Sequence, residues 1–238
     1  MLIDNIKSLI KINGPITIAE FMQEALFNPN YGYYQKKIPI GKSGDFTTAP
    51  EVSQVFGELI ALYFLNLASN GTKPIAFVEM GAGRGNLFKD LLRTINGLAD
   101  KNVKEATDFL ERSTFNIVEI SPALQKNQEE NLCQVTGKIN WYKTFQDFLT
   151  SNEDNEREIY FIANELFDCF PINQFIKTEQ GWCEKTVGNK DEELAFFVEK
   201  FDPIKNRLVE NLIGNQVPPK VKEQDVIFEH SFSAVNFM

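Results

Sequence analysis

Three short polar clusters in this chain carry side chains that could do chemistry. The first runs from Glu79 to Asn86, where Gly81, Gly83 and Gly85 stand at every second position behind a glutamate. The second is Glu119, followed by Ser121 and Pro122, and the third is Asn164 and Glu165 with Asp168. Glycines open backbone conformations closed to other residues and let a ligand approach the main chain, while a following helix offers free N–H groups. The first cluster therefore suits a nucleotide-like ligand. A carboxylate on the neighbouring strand, which is where Glu119 falls, can accept hydrogen bonds from both hydroxyls of a ribose. Each cluster also has a plainer reading: a tight turn in an ordinary α/β domain, a solvated strand end, and a capped helix start for Asp168.

The elements around these residues decide between the readings. Apolar runs at 75–78, 115–120, 139–142 and 158–163 are too apolar to be half exposed, and helical patterns alternate with them. That predicts a parallel sheet covered on both faces, with any ligand outside the carboxyl ends of its strands. Glu79 with its glycines, Glu119, and Asn164-Glu165 all fall at such ends. Upstream, residues 2–12 read as an amphipathic helix, and Thr17 with Glu20 forms a capping box for a second. Residues 31–50 read as a long loop of the kind that is usually functional. Residues 51–68 carry a strong apolar period that predicts a largely buried helix. Residues 97–113 read as an extended polar connection with a short helix. Three short strands over 173–200 predict an antiparallel insertion, 202–222 is polar, and 226–229 is one last strand. The implied division is an N-terminal helical cap and covering loop (1–72), a Rossmann-like core (73–171), the antiparallel insertion (172–201), and a polar segment with the end of the core (202–238).

Composition narrows the function. With 24 Lys and Arg against 33 Asp and Glu, the net charge of −9 argues against a surface that tracks nucleic-acid phosphates. Cys133, Cys169 and Cys183 have no C-x-x-C spacing, and His230 is the single histidine, so a metal site and a histidine base have little material. No signal peptide is recognisable, and no run reaches the roughly 18 apolar residues of a membrane span. A reducing, cytosolic setting is the default.

The spacing of the glycines separates two ligands. A dinucleotide turn reads G-x-G-x-x-G, whereas E-x-G-x-G-x-G resembles the first motif of S-adenosyl-L-methionine (SAM)-dependent methyltransferases; an NAD-dependent dehydrogenase is the lesser alternative. Four blocks extend the likeness: 41–61 (GKSGDFTTAPEVSQVFGELIA), 77–87 (FVEMGAGRGNL), 117–124 (IVEISPAL) and 164–171 (NELFDCFP). Together they resemble the family of SAM-dependent protein arginine methyltransferases that contains MidA and the mitochondrial complex I assembly methyltransferase. The resemblance implies a class I, Rossmann-like α/β fold and SAM as cofactor. It further implies that a loop with Gly44, Asp45 and Thr47 closes over the cofactor, that Gly81, Gly83 and Gly85 form its floor beside Glu79, and that Glu119 binds its ribose. Asn164, Glu165 and Asp168 would lie near the methyl and the acceptor nitrogen, where carboxylates match the forked, cationic guanidinium of an arginine. The implied partner is a protein substrate such as a respiratory complex subunit, in the bacterial cytosol or the mitochondrial matrix. Because the family's sheet continues past its fourth strand, the resemblance also implies a chain cut short on its C-terminal side, with 158–163 left as an apolar edge. A catalytically impaired fragment, a SAM-binding assembly protein without activity, and a small-molecule methyltransferase are the remaining readings.

Overall fold

The computed structural model describes residues 1–36, 47–135, 137–152, 156–179, 181–214 and 226–237. The chain divides into two compact units, one of Met1–Lys37 with Cys169–Met238 and the other of Ile38–Asp168.

The first unit opens with α1 (Leu2–Asn13), which buries Ile6 and Ile10. A two-residue strand β1 (Ile16–Thr17) leads into α2 (Ile18–Phe27). Thr17 Oγ1 accepts from the Glu20 N–H at 3.1 Å and the Glu20 carboxylate accepts from the Thr17 N–H at 2.8 Å, so the T-x-x-E spacing closes as a reciprocal cap. A single turn, α3 (Tyr33–Lys36), follows.

The second unit runs α4 (Ala49–Val52), α5 (Gln54–Ala68), β2 (Ile75–Met80), α6 (Asn86–Ala99), α7 (Lys104–Arg112), β3 (Ser113–Val118), α8 (Pro122–Leu132), β4 (Ile139–Tyr142), α9 (Phe145–Ser151) and β5 (Glu158–Ile162). Its four strands form a parallel sheet in the order β4-β3-β2-β5. Central β2 matches Phe77 to Phe115 on one side and to Tyr160 on the other. Alternate side chains leave a strand on opposite faces. Ile75 and Phe77 join Phe64, Phe88, Leu91 and Phe109 beneath α5, α6 and α7, whereas Ala76 and Val78 meet Phe148 of α9. Phe64 and Phe77 meet edge to face at 4.8 Å, an arrangement favoured by the ring quadrupoles. The central strand is thus buried on both sides, as its unbroken apolar run requires.

Two expectations about burial need correction. Helix α5 is covered on one side only: Gly57, Ala61, Phe64, Leu65 and Ala68 are buried, while Val55, Leu59, Leu62, Tyr63 and Leu67 are exposed. A helix apolar all round gives sequence patterning no polar face from which to infer its depth. Strand β5 pairs, among the described residues, only with β2, and Ile159 and Phe161 on it are exposed. The two-sided covering read from its composition holds for β2 and not for this edge strand.

Gly57 sets how closely α5 approaches α6. A Cβ there would lie 2.7 Å from the Asp90 Cβ and 3.3 Å from the Leu87 carbonyl oxygen. Gly57→Val is therefore expected to destabilise this unit by about 2 kcal/mol in denaturant titrations, the scale of overpacking at a tight contact.

After a 3-10 turn at Phe167–Cys169 come β6 (Asn173–Thr178), β7 (Gly181–Lys190), β8 (Glu193–Lys200), α10 (Pro203–Ile213), β9 (Ile227–His230) and α11 (Phe232–Phe237). The strands build an antiparallel sheet in the order β1-β7-β6-β9, with β8 also on β7. Phe175 and Trp182 are buried with Val209 and Ile213 of α10, and Ile6, Ile10, Ile16 and Val187 form a second core. The strand expected at 226–229 is present as β9, paired with β6. The polar stretch 202–222 predicts no helix, yet α10 forms within it. Asp202 caps it, accepting from the N–H groups of Ile204 and Lys205 at 2.9 and 3.0 Å, and Pro203 occupies its first turn.

Candidate functional site

The carboxyl ends of β2, β3 and β5 lie side by side, because Met80 pairs with Val118 and Glu79 with Ile162. The glycine turn leaves the central strand, Glu119 directly follows one neighbour, and Asn164 stands two residues beyond the other. Three of the polar clusters read from the sequence therefore share one rim of one sheet.

The turn takes backbone conformations that only glycine adopts freely. Gly81, Gly83 and Gly85 have φ of +67°, +53° and +79°. The Gly81 N–H is held by the Val118 carbonyl at 3.2 Å, and the Gly85 N–H by that of Ala82 at 2.7 Å. Gly85 then begins α6 with no side-chain cap, so among the described residues the first amides of a fourteen-residue helix have no side-chain acceptor. A Cβ on Gly81 would sit 2.6 Å from Leu166 Cδ1, which shows the segment after β5 folded against the first glycine.

Glu79 is buried, and its Oε2 has no hydrogen-bond partner among the described residues. Desolvation alone pushes its carboxyl up to about 8. Glu119 is also buried, but it is held. Its Oε1 accepts from the Ser121 N–H at 2.8 Å and its Oε2 from Gln128 Nε2 at 3.1 Å. Burial raises its pKa, and the hydrogen bonds from Ser121, Gln128 and the Ile120 backbone offset part of that rise. With three donors already on it, the carboxylate keeps acceptor capacity for at least one further hydrogen bond.

The residues after β5 are differently placed. Asn164 is half-buried, Glu165 and Asp168 are exposed, and Glu165 has φ of +54°, a left-handed conformation uncommon outside glycine. Asp168 falls in the 3-10 turn. Thr47 is exposed and precedes α4, while Gly44 and Asp45 lie outside the described residues.

Two site residues were not picked out in the sequence, both on α8. Gln128 is fully buried, and its Nε2 donates to the Gly83 carbonyl at 2.9 Å as well as to Glu119. Asn131, one turn on, donates to the Arg84 carbonyl at 2.9 Å and to Asn86 Oδ1 at 2.8 Å. Asn86 in turn donates to Glu51 of α4 at 2.7 Å, and Lys89 to Asn131 Oδ1 at 2.9 Å. These side chains lie in the run KNQEEN, whose charge reads as a solvated helix face. The available signal is that Gln128, Asn131 and the apolar Leu124 and Leu132 recur at helical spacing.

Among the described residues no cluster of His, Cys, Asp and Glu has metal-site geometry, and no helix is long and apolar enough to cross a membrane. Residues 59–238 match a family model described as "Putative S-adenosyl-L-methionine-dependent methyltransferase". The chain is 36% identical over 203 residues to the mitochondrial protein arginine methyltransferase NDUFAF7 of Danio rerio, covering 78% of this chain and 46% of that protein. The Homo sapiens protein of the same name is 34% identical over 200 residues, covering 75% and 43%. The chain thus spans less than half the length of these curated relatives. A Burkholderia thailandensis protein crystallised with S-adenosyl-homocysteine superposes with a TM-score of 0.73 at 25% identity, covering 99% of this chain and 57% of that one.

Proposed function

The chain belongs to this family of S-adenosyl-L-methionine-dependent methyltransferases, and from that premise we propose that it binds SAM at the glycine turn and serves methyl transfer to an arginine of a protein partner. The observation that carries the reading is the pairing of three left-handed glycines with a buried carboxylate on the adjacent strand, in a chain that matches the family over those residues.

The residues suit the cofactor chemically. Glu79 offers a buried carboxyl oxygen beneath the turn that is unpartnered among the described residues, a feature that calls for a donor or a cation. Glu119 keeps acceptor capacity for a ribose hydroxyl. The open amides of α6 and the glycine backbone allow close approach. When bound, SAM supplies a methyl group on a cationic sulfur. The protein's part is alignment, since an in-line displacement gains much of its rate from holding the reactants in register. In this reading Glu165, with Asp168, accepts hydrogen bonds from the acceptor guanidinium and fixes its plane, and Asn164 completes its placement. Gly44, Asp45 and Thr47 belong to the segment that covers the cofactor. By the family resemblance of the four sequence blocks, the proposed acceptor is a respiratory-complex subunit, met in the matrix or in a bacterial cytosol.

Titration calorimetry with SAM, S-adenosyl-L-homocysteine and NAD tests the cofactor. The first two are expected to bind and NAD not to, and Glu119→Ala is expected to weaken binding about 10- to 100-fold, the worth of hydrogen bonds to a charged acceptor. Radiolabelled methyl incorporation tests the transfer: Glu165→Gln should keep cofactor affinity and lose incorporation into arginine. Binding of NAD without either sulfur ligand overturns the reading. Binding with no incorporation into any candidate partner reduces it to a cofactor-dependent assembly role.

A further inference from the structure

Gln128 is the one fully buried amide side chain described at the rim of the parallel sheet, and all its hydrogen-bonding groups there are used. Its two amide hydrogens go to the Gly83 carbonyl at 2.9 Å and Glu119 Oε2 at 3.1 Å, and its Oε1 accepts from Trp141 Nε1 at 3.1 Å. The orientation is fixed by chemistry. Turning the amide over would set its oxygen against a carbonyl and a carboxylate, and its nitrogen against the indole N–H. A leucine would fill the same volume without the desolvation that a buried amide costs. The amide therefore does something that packing does not require.

What it does follows from its partners. One hydrogen goes to the backbone of the glycine turn and the other to the carboxylate on the adjacent strand, so a single planar group sets the separation of the two. Trp141, on β4, locks the group from the far side. Asn131 repeats the hold one helical turn later, on the next carbonyl of the same turn.

We infer that Gln128 is a positioning residue for cofactor binding, acting through Glu119 and the Gly83 carbonyl to hold the ribose-binding carboxylate and the glycine turn in one fixed relation. The inference rests on the cofactor site proposed above. Its consequence beyond geometry lies in Glu119. Among the described residues the groups acting on that carboxyl are Gln128 from α8 and the backbone N–H groups of Ser121 and Ile120, and none of these is a charged side chain. Removing the Gln128 donor leaves the ionised form with less support against burial, which moves the carboxyl further in the direction burial already drives it, so binding weakens more as pH falls.

The test is the affinity for S-adenosyl-L-homocysteine, by calorimetry at about pH 6 and about pH 8.5, of wild type, Gln128→Met, Glu119→Gln and the double variant. Gln128→Met is expected to bind about tenfold more weakly at the lower pH, with a smaller loss at the higher. Added to Glu119→Gln, it should cost less than it does alone and the same at both pH values, because the carboxylate that titrates is gone while the hold on Gly83 is still lost. An equal loss at both pH values that adds fully to Glu119→Gln means that Gln128 only fills space, and the inference fails while the cofactor site stands. Wild type that binds no S-adenosyl-L-homocysteine at either pH removes the site reading and this inference with it. Should Gln128→Met not fold, Trp141→Phe withdraws the donor at Gln128 Oε1 instead, and the same pH-dependent weakening is expected in smaller measure; its absence counts against the inference.

Discussion

Between about pH 5 and pH 9 the ligand-free protein is expected to lose a few kcal/mol of stability that a Glu79→Gln variant keeps. The cause is a buried carboxyl whose Oε2 has no partner among the described residues. Burial raises Glu79 from 4.5 to about 8, and no other influence on it is resolved. Below the unfolded value both states hold the proton, and the buried group is neutral in each. As pH rises between the two values the unfolded chain releases its proton and the folded chain keeps it, so unfolding becomes progressively easier. The loss grows by roughly 1.4 kcal/mol per pH unit and levels off once the folded carboxyl also ionises. Glutamine has no such proton, so the difference between the two melting profiles should be small near pH 5 and widen through neutrality. Chemical denaturation followed by circular dichroism at several pH values measures it. Parallel profiles for the two proteins would mean that Glu79 finds a partner in solution, and the argument for an open acceptor beneath the turn would go with it.

The second large effect is expected at Gly81. Its φ of +67° is costly for any residue with a Cβ, and for a branched side chain it is a true outlier. A Cβ would also meet Leu166 Cδ1 at 2.6 Å. Gly81→Val should therefore displace the turn or the segment after β5, weakening S-adenosyl-L-homocysteine binding by about 100-fold or more and costing about 3 kcal/mol of stability. Leu166→Ala in the same chain should relieve the contact and not the backbone strain, giving partial recovery. Gly14→Ala is the matched control. Gly14 has φ of +83° with nothing within 4 Å of a Cβ, so stability should fall by about 1 kcal/mol with affinity unchanged. Equal affinity in the Gly81→Val and wild-type proteins would mean that the ligand does not use this turn.

The sequence discloses those features that short-range physics controls. Ser121 before Pro122 starts α8 because serine accepts from the Leu124 N–H and proline needs no partner in the first turn. Alternate glycines behind an apolar run announce a turn with left-handed residues. The strands at 173–178, 181–190 and 193–200 are separated by the turn residues that delimit them. What stays hidden depends on contacts between distant segments. Gln128 and Asn131 look like members of a solvated charged run until Gly83 and Arg84 are seen beside them. The left-handed Glu165 has no glycine to advertise it, and Glu79 looks like any motif acid until its Oε2 is found without a donor among the described residues. Helix α10 was obscured because Lys205, Arg207 and Glu210 dilute a period that only Val209 and Ile213 complete by burial.

The two-sided helix α5 bears on how any of these measurements is made. Val55, Leu59, Leu62, Tyr63 and Leu67 give the native protein a greasy strip of the sort that fluorescent hydrophobic dyes seek in collapsed or melting chains. A dye-based thermal scan would begin bright, so the signal would report the strip before it reported the melt.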